Sequence, residues 1–308
     1  MPVDLLTVDF PYYRLYVDSR FIRTIFNALK DYKPIISLEG DGIINITVNF
    51  DREKHFLTLS DYFTQDVRMK AKILWHPSPY DIFQERRNEM NTKLGEGSQL
   101  YSEIYNWLWR HTKMCSNFPI TVVKAILDHY KPKRVFDPSA GWGDRMIACI
   151  ASNISYTGVD PNRELVNGYQ HMITVLGADP TKYCLVTLPI EEYNLHGSKK
   201  PDMIITSPPF FDMEHYSDSP NQSERKYPSY SVWKSGFLYS LLKRCYIYLE
   251  VGGHLIIYVN NIKKYPIFDD TKFYMENMVK QGMMRYEGNI NWINSKYPKK
   301  MLVYKKLK

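Results

Sequence analysis

Apolar positions recur at helical spacing over residues 21–29, alternate with polar ones over 43–50 (IINITVNF), and alternate again over 56–62. This spacing predicts a helix, a strand, and a second strand or sheet edge. Pro77 and Pro79 interrupt residues 72–80, which reads as a loop. A polar stretch over 91–98, with Gly95 and Gly97, reads as a linker and puts a domain boundary near residue 100. Beyond it the pattern predicts helices over 101–109 and 120–129, a strand over 134–137, a small-residue turn, a helix over 145–152 and a strand ending at Asp160. A helix over 163–176, strands over 183–188 and 203–206, a long polar loop, a helix over 232–248 and a strand over 254–260 follow. Strands alternating with helices predict a doubly wound, Rossmann-like α/β sheet over 101–308, preceded by a smaller α+β domain over 1–100. In such sheets ligands lie beyond the carboxyl ends of the strands.

The 308 residues are 44% hydrophobic and 24% charged, which excludes collagen-like, mucin-like and largely disordered chains. No apolar run reaches the ~18 residues of a membrane span, and acids at Asp4 and Asp9 are unlike a signal peptide. A soluble protein, cytoplasmic or nuclear and without a membrane partner, is therefore expected. Cys115, Cys149, Cys184 and Cys245 are far apart and form no C-x-x-C pair, so neither a disulfide framework nor a metal site is expected. The net charge of +7 is uneven: residues 1–110 carry 14 bases against 15 acids, the remainder 26 against 18. A basic surplus there favours a polyanion, of which nucleic acid is the commonest.

Two turns carry the chemistry. In the first, Val135-Phe-Asp-Pro-Ser-Ala-Gly-Trp-Gly-Asp-Arg145, the small residues Ser139, Ala140, Gly141 and Gly143 let backbone approach a ligand at a helix start. Asp137 closes the preceding strand, and Asp160 closes the next one, placed to accept both hydroxyls of a ribose. The second turn is Thr206-Ser-Pro-Pro-Phe210. Taken singly, a G-x-G is an ordinary strand-to-helix turn and Pro-Pro an ordinary strand terminator. Their order and spacing point further. Met146 stands where dinucleotide enzymes carry a third glycine, so the first turn instead resembles the D-P-x-x-G-x-G turn of S-adenosylmethionine-dependent methyltransferases. The second resembles the [DNS]-P-P-[YFW] signature of the amino-methyltransferases of DNA (cytosine N4 and adenine N6).

The resemblance covers about residues 113–260 and implies S-adenosylmethionine as cofactor, with Asp137 facing its ammonium and Pro189 and Ile190 lining its adenine. Asn117 and Phe118 would pack at its methionine end, although Ser116 or Thr121 with Pro119 also reads as a plain helix start. Ser207, Pro208, Pro209 and Phe210 form the implied catalytic turn. The Ser207 hydroxyl and Pro208 carbonyl hold the amino hydrogens, and Phe210 supplies a face for the base. Phe211 and the polar loop after it are grouped with the substrate: Asp212 and Glu214 meet the base edge, Tyr216 or Tyr227 stacks, and Arg225 and Lys226 meet phosphates. That loop reads equally as a solvated surface segment. From Thr271 the chain holds nine bases against two acids around a predicted terminal hairpin, placed for phosphate contact or for protecting edge strands. The expected activity is methylation of an exocyclic amino group of a flipped base in DNA, with cytosine N4 ahead of adenine N6 because serine holds position 207. The alternatives are an RNA amino-methyltransferase (adenine N6 or guanine N2) and a noncatalytic nucleic-acid-binding subunit of the same fold.

Overall fold

The computed structural model describes residues 3–48, 50–95, 101–195, 199–293 and 298–308. In chain order the elements are α1 (Ser19–Asp31), β1 (Ile35–Glu39), β2 (Ile43–Thr47), α2 (Phe50–Arg68), β3 (Lys72–Ile73), α3 (Pro79–Leu94), α4 (Tyr101–His111), α5 (Ile120–Tyr130) and β4 (Arg134–Asp137). Then come α6 (Asp144–Ala151), β5 (Ser155–Val159), α7 (Leu165–Val175), β6 (Tyr183–Val186), β7 (Met203–Thr206), β8 (Glu214–His215), α8 (Ser223–Lys226) and α9 (Tyr230–Trp233). A π-helical turn leads into α10 (Tyr239–Tyr248), and β9 (His254–Tyr258), α11 (Ile267–Lys280), β10 (Met284–Ile293) and β11 (Lys299–Lys306) complete the chain.

Among the described residues nine strands form one sheet in the order β1-β2-β10-β11-β9-β7-β4-β5-β6. From β9 to β6 neighbouring strands are parallel, and the terminal hairpin β10-β11 attaches antiparallel to β9. The chain moves outward from β4 in one direction through β5 and β6, then in the other through β7 and β9. The switch point between β4 and β7 opens the crevice that such sheets use for ligands. Alternation at period two sorts side chains onto the two faces. Val135, Met203, Ile205, Ile256 and Val303 point into a core with α1, α2, α5, α6 and α7. Their neighbours Phe136, Ile204, Leu255, Ile257 and Leu302 point into the opposite core with α9, α10 and α11.

The fold class matches the sequence reading over the later residues; the first hundred differ. Residues 56–62, expected as a strand, lie inside α2. Phe56, Leu59, Phe63 and Val67 recur at helical spacing on its buried face, but Ser60, Asp61, Thr64 and Gln65 are buried as well. Those polar core positions, mixed with strand-favouring aromatic residues, hid the period. Ser78 and Asp81 form a capping box, and Pro79 opens α3, so the prolines start a helix where a loop was expected. That helix runs into the expected linker as far as Leu94, and the boundary near residue 100 lies outside the described residues.

Nor do residues 1–100 stand apart from the later sheet. β2 pairs in parallel with β10, and α2 packs in the same core as α5, α6 and α7. A third, smaller core joins Ile82, Phe83 and Met90 of α3 to Ile104, Trp107 and Leu108 of α4, spanning the expected boundary. Among the described residues no helix is long and apolar enough to cross a membrane.

α7 packs tightly on α2 at Gly168. A Cβ there meets the Phe63 carbonyl oxygen and Thr64 Cγ2, each at 2.7 Å. Helix propensity alone favours Gly168→Ala by about 1 kcal/mol, whereas forcing two packed helices apart costs about 1–3 kcal/mol. Gly168→Ala is expected to lower stability in urea melts by about 1 kcal/mol. A stability gain would show that α2 is not held against α7.

Candidate active site

β4 ends in the buried Asp137, whose Oδ2 accepts from Arg145 Nε at 2.5 Å and the Tyr156 hydroxyl at 2.8 Å, while Oδ1 accepts from Ser139 N at 3.3 Å. The turn that follows needs left-handed backbone at Gly141 (φ 58°) and Gly143 (φ 91°). A Cβ on Gly143 also falls 2.6 Å from Met172 Cε. The Tyr169 hydroxyl ties the turn down through the carbonyls of Ala140 and Gly141, at 3.2 Å each. At the end of β5, Asp160 accepts from Gly141 N and Asn162 N, both at 2.9 Å, and burial pushes its pKa up to about 6.

These turns open on a cavity of about 1170 Å³ beyond the carboxyl ends of β4, β5 and β7. Ser139, Gly141, Asp160, Pro189, Ile190, Asn117 and Phe118 line it, so seven expected cofactor-side positions meet in one place. Asp137, Ala140 and Gly143 do not. Asp137 departs from the expectation of an acid facing the ammonium: it is fully buried off the cavity lining and holds Arg145, Tyr156 and the turn. Ala140 and Gly143 shape the turn from behind.

The cavity's other wall comes from α2, which no sequence motif marks. Arg68, fully buried, donates from Nη2 to Asp61 Oδ1 at 2.5 Å and from Nη1 to the Cys115 carbonyl at 2.9 Å. Burial opposes its charge, but Asp61 beside it more than restores the charge and keeps Arg68 protonated. Asn117 Nδ2 donates to Ser60 Oγ at 2.7 Å, and Asp144 accepts from Ser60 Oγ at 2.5 Å and from Phe118 N at 3.0 Å. Burial pushes the Asp144 pKa up to about 6. Asp61 lines the cavity, and its Oδ2 has no hydrogen-bond partner among the described residues. Glu53, Asp61, Asp144, Asp160, Glu191 and Glu214 line the cavity against Lys54, Arg145 and Lys299, an anionic surplus suited to a cation.

From the β7 turn, Ser207, Pro209 and Phe210 line the same cavity, while Pro208 does not. The Ser207 hydroxyl makes no hydrogen bond among the described residues. Phe210 meets Tyr258 edge to face at 6.1 Å, and Tyr258 leads to Trp292 (4.6 Å) and Phe118 (6.0 Å), so four rings border this part of the cavity. The following loop is pinned: β8 pairs with β3, and Leu74 N donates to the Met213 carbonyl at 2.9 Å. Glu214 and Tyr216 line the cavity, joined by a hydrogen bond, and burial raises both pKa values.

Four expected substrate contacts lie elsewhere. Phe211, turned by a left-handed backbone (φ 55°), is core among Tyr230, Trp233 and Tyr265. Asp212 is exposed outside the cavity, 3.4 Å from the Tyr265 hydroxyl. Arg225 pairs with Asp218 at 2.7 Å, and Lys226 pairs with Glu191 at 2.9 Å and with Glu192, so both cations are already matched by carboxylates.

No protein-family model and no curated protein matches this chain. Among solved structures, an rRNA methylase from Streptococcus thermophilus is 13% identical, with TM-score 0.42 over 63% of this chain and 99% of its own. TrmN from Thermus thermophilus is 12% identical (TM-score 0.43; 62% of this chain, 49% of its own). A magnesium protoporphyrin IX methyltransferase from Synechocystis PCC 6803 with bound SAM is 11% identical (TM-score 0.42; 73% of this chain, 94% of its own).

Removing one partner of a buried ion pair costs about 3–5 kcal/mol, because the other charge is left uncompensated. Arg68→Met is expected to lose that much in urea denaturation. Asp61→Asn combined with Arg68→Met is expected to lose less, since no lone charge remains. A double variant as unstable as the sum of the single ones would remove the pair from its structural role.

Proposed function

We propose that this protein is an S-adenosylmethionine-dependent methyltransferase of an exocyclic amino group in a nucleic-acid base, with DNA as the polymer and cytosine N4 as the accepting atom. The observation that carries the reading is one cavity joining the Gly141–Asp160 side to Ser207 and Phe210 across the switch point of the sheet.

The cavity's donors and charges fit this cofactor. Asp160 suits the ribose hydroxyls, and Pro189 and Ile190 the adenine. Asp61 Oδ2 suits the ammonium, a role that the sequence pattern gave to Asp137. When bound, the cofactor supplies an electrophilic methyl group on a sulfonium. The amino nitrogen of a base is a poor nucleophile, because its lone pair is delocalised into the ring. The Ser207 hydroxyl, on the cavity lining, accepts one of its N–H groups and favours pyramidal geometry, which frees the lone pair. Phe210 gives the ring a face to lie on. No strong base is needed, since the nitrogen sheds its proton readily once alkylated.

The test is incubation with labelled cofactor and either DNA or RNA, followed by digestion to nucleosides and mass identification of the product. Label on cytosine N4 of DNA is expected. Label on RNA moves the reading to that polymer, and label confined to protein or small molecules overturns it. Ser207→Ala and Phe210→Ala are expected to lower transfer by at least about a hundredfold with cofactor affinity unchanged, whereas Asp160→Ala should weaken cofactor affinity about tenfold or more. Intact affinity in Asp160→Ala would remove the ribose from that position.

A cation in the cavity also sets a pH dependence. Asp144 and Asp160 titrate near pH 6 when buried against about 3.8 in the unfolded chain. The native state therefore binds more protons between those values, and their contribution to stability falls as pH rises from about 4 to 6. A bound cation favours the ionised forms. Cofactor affinity by calorimetry is expected to be at least about tenfold weaker at pH 5 than at pH 7.5. Equal affinity at both would show that these carboxylates do not sense the cofactor's charge.

A further inference from the structure

The cavity does not end at the cofactor side. It continues between α2 and α4, where five residues of α4, Tyr101, Ser102, Tyr105, Asn106 and Trp109, lie along one helix face and line it. Leu57, Thr58 and Asp61 line the opposing face of α2. The three α4 aromatics recur every four residues, the spacing that aligns side chains on one face. They grade outward: Tyr101 and Tyr105 are partly buried, their ring centroids 5.9 Å apart, and Trp109 is 58% exposed. Among the described residues the Trp109 indole makes no ring contact. The side chains of Asn106 and Ser102 beside it make no hydrogen bonds among the described residues.

We propose that this groove receives an unpaired nucleotide flanking the target base, stacked on Trp109 with its polar edge toward Asn106 and Ser102. The inference rests on the nucleic-acid reading above. Continuity of one cavity from Phe210 to Trp109 argues for a strand whose neighbouring bases take the two aromatic positions. A lone nucleoside would fill only one end. Nucleic acid also fits the chemistry of the groove: every base offers a π face for stacking and an edge for an amide or hydroxyl. It assigns to α4, which carries none of the recognised motifs, the binding of the strand beside the flipped base.

Fluorescence anisotropy of a labelled single-stranded oligonucleotide tests the assignment, with cofactor affinity measured alongside. Trp109→Ala is expected to weaken the strand at least about fivefold, the lower end of what stacking one base contributes. Trp109→Phe should restore most of the affinity, and cofactor affinity should not change in either variant. Equal strand affinity in wild type and Trp109→Ala overturns the groove while leaving the catalytic reading intact. A wild type that binds neither DNA nor RNA strands overturns the nucleic-acid reading and the groove's occupant together.

Discussion

Burying Arg68 constrains everything on the cavity's inner wall. A guanidinium stays protonated in the interior, so its charge must be matched where it sits. Asp61, about two turns earlier on α2, supplies the carboxylate, and the Cys115 carbonyl supplies a second acceptor. That carbonyl stands two residues before Asn117, which reaches back to Ser60 and Asp61, and Ser60 holds Asp144 at the start of α6. One buried cation thereby fixes α2, the 115–118 segment and the first turn of α6 in a single arrangement. Residues of α2 form part of the cavity wall itself.

The same logic repeats on the opposite wall with a different outcome. Arg145 is buried against Asp137, and both oxygens of that carboxylate are consumed in holding Arg145, Tyr156 and Ser139. The pair is neutral and structural. Negative charge facing the cavity therefore comes from Asp61, Asp144 and Asp160, two of which are held near pH 6 by loss of solvent. Loss of solvent makes the charged forms of Asp144 and Asp160 less favourable, and a cation beside them relieves it.

What was legible in the sequence was local. The turns after β4 and β7 declare themselves through glycines, prolines and strand-terminal acids, whose effect depends on backbone within a few residues. What was not legible depended on partners far along the chain. Asp61 and Ser60 look like polar surface in a strand until Asn117 and Asp144 are placed beside them. Lys226 looks like a phosphate ligand until Glu191 and Glu192, more than thirty residues earlier, meet it. Phe211 looks like an extension of the catalytic turn, but a positive φ sends it into the core behind Tyr230 and Trp233. The helical period of α2 was hidden because its buried face carries polar residues that only a tertiary network satisfies.

These charges also reorganise the meaning of the basic surplus in the later residues. Arg225 and Lys226 are paired, and Lys306 is buried, its Nζ donating to the carbonyls of Tyr246 and Leu249 at 2.7 and 2.8 Å. None of the three adds to a field around the cavity, whose own wall is acidic. An acidic, desolvated pocket repels phosphate and accepts a neutral ring. In the proposed reaction that asymmetry sorts the substrate: the base enters among Phe210, Tyr258 and Trp292, and the backbone stays at the rim, where Lys299 sits 5.5 Å over the Trp292 ring. In that reading, a base extruded from a duplex or already unpaired in a single strand is what presents the amino group to such a site.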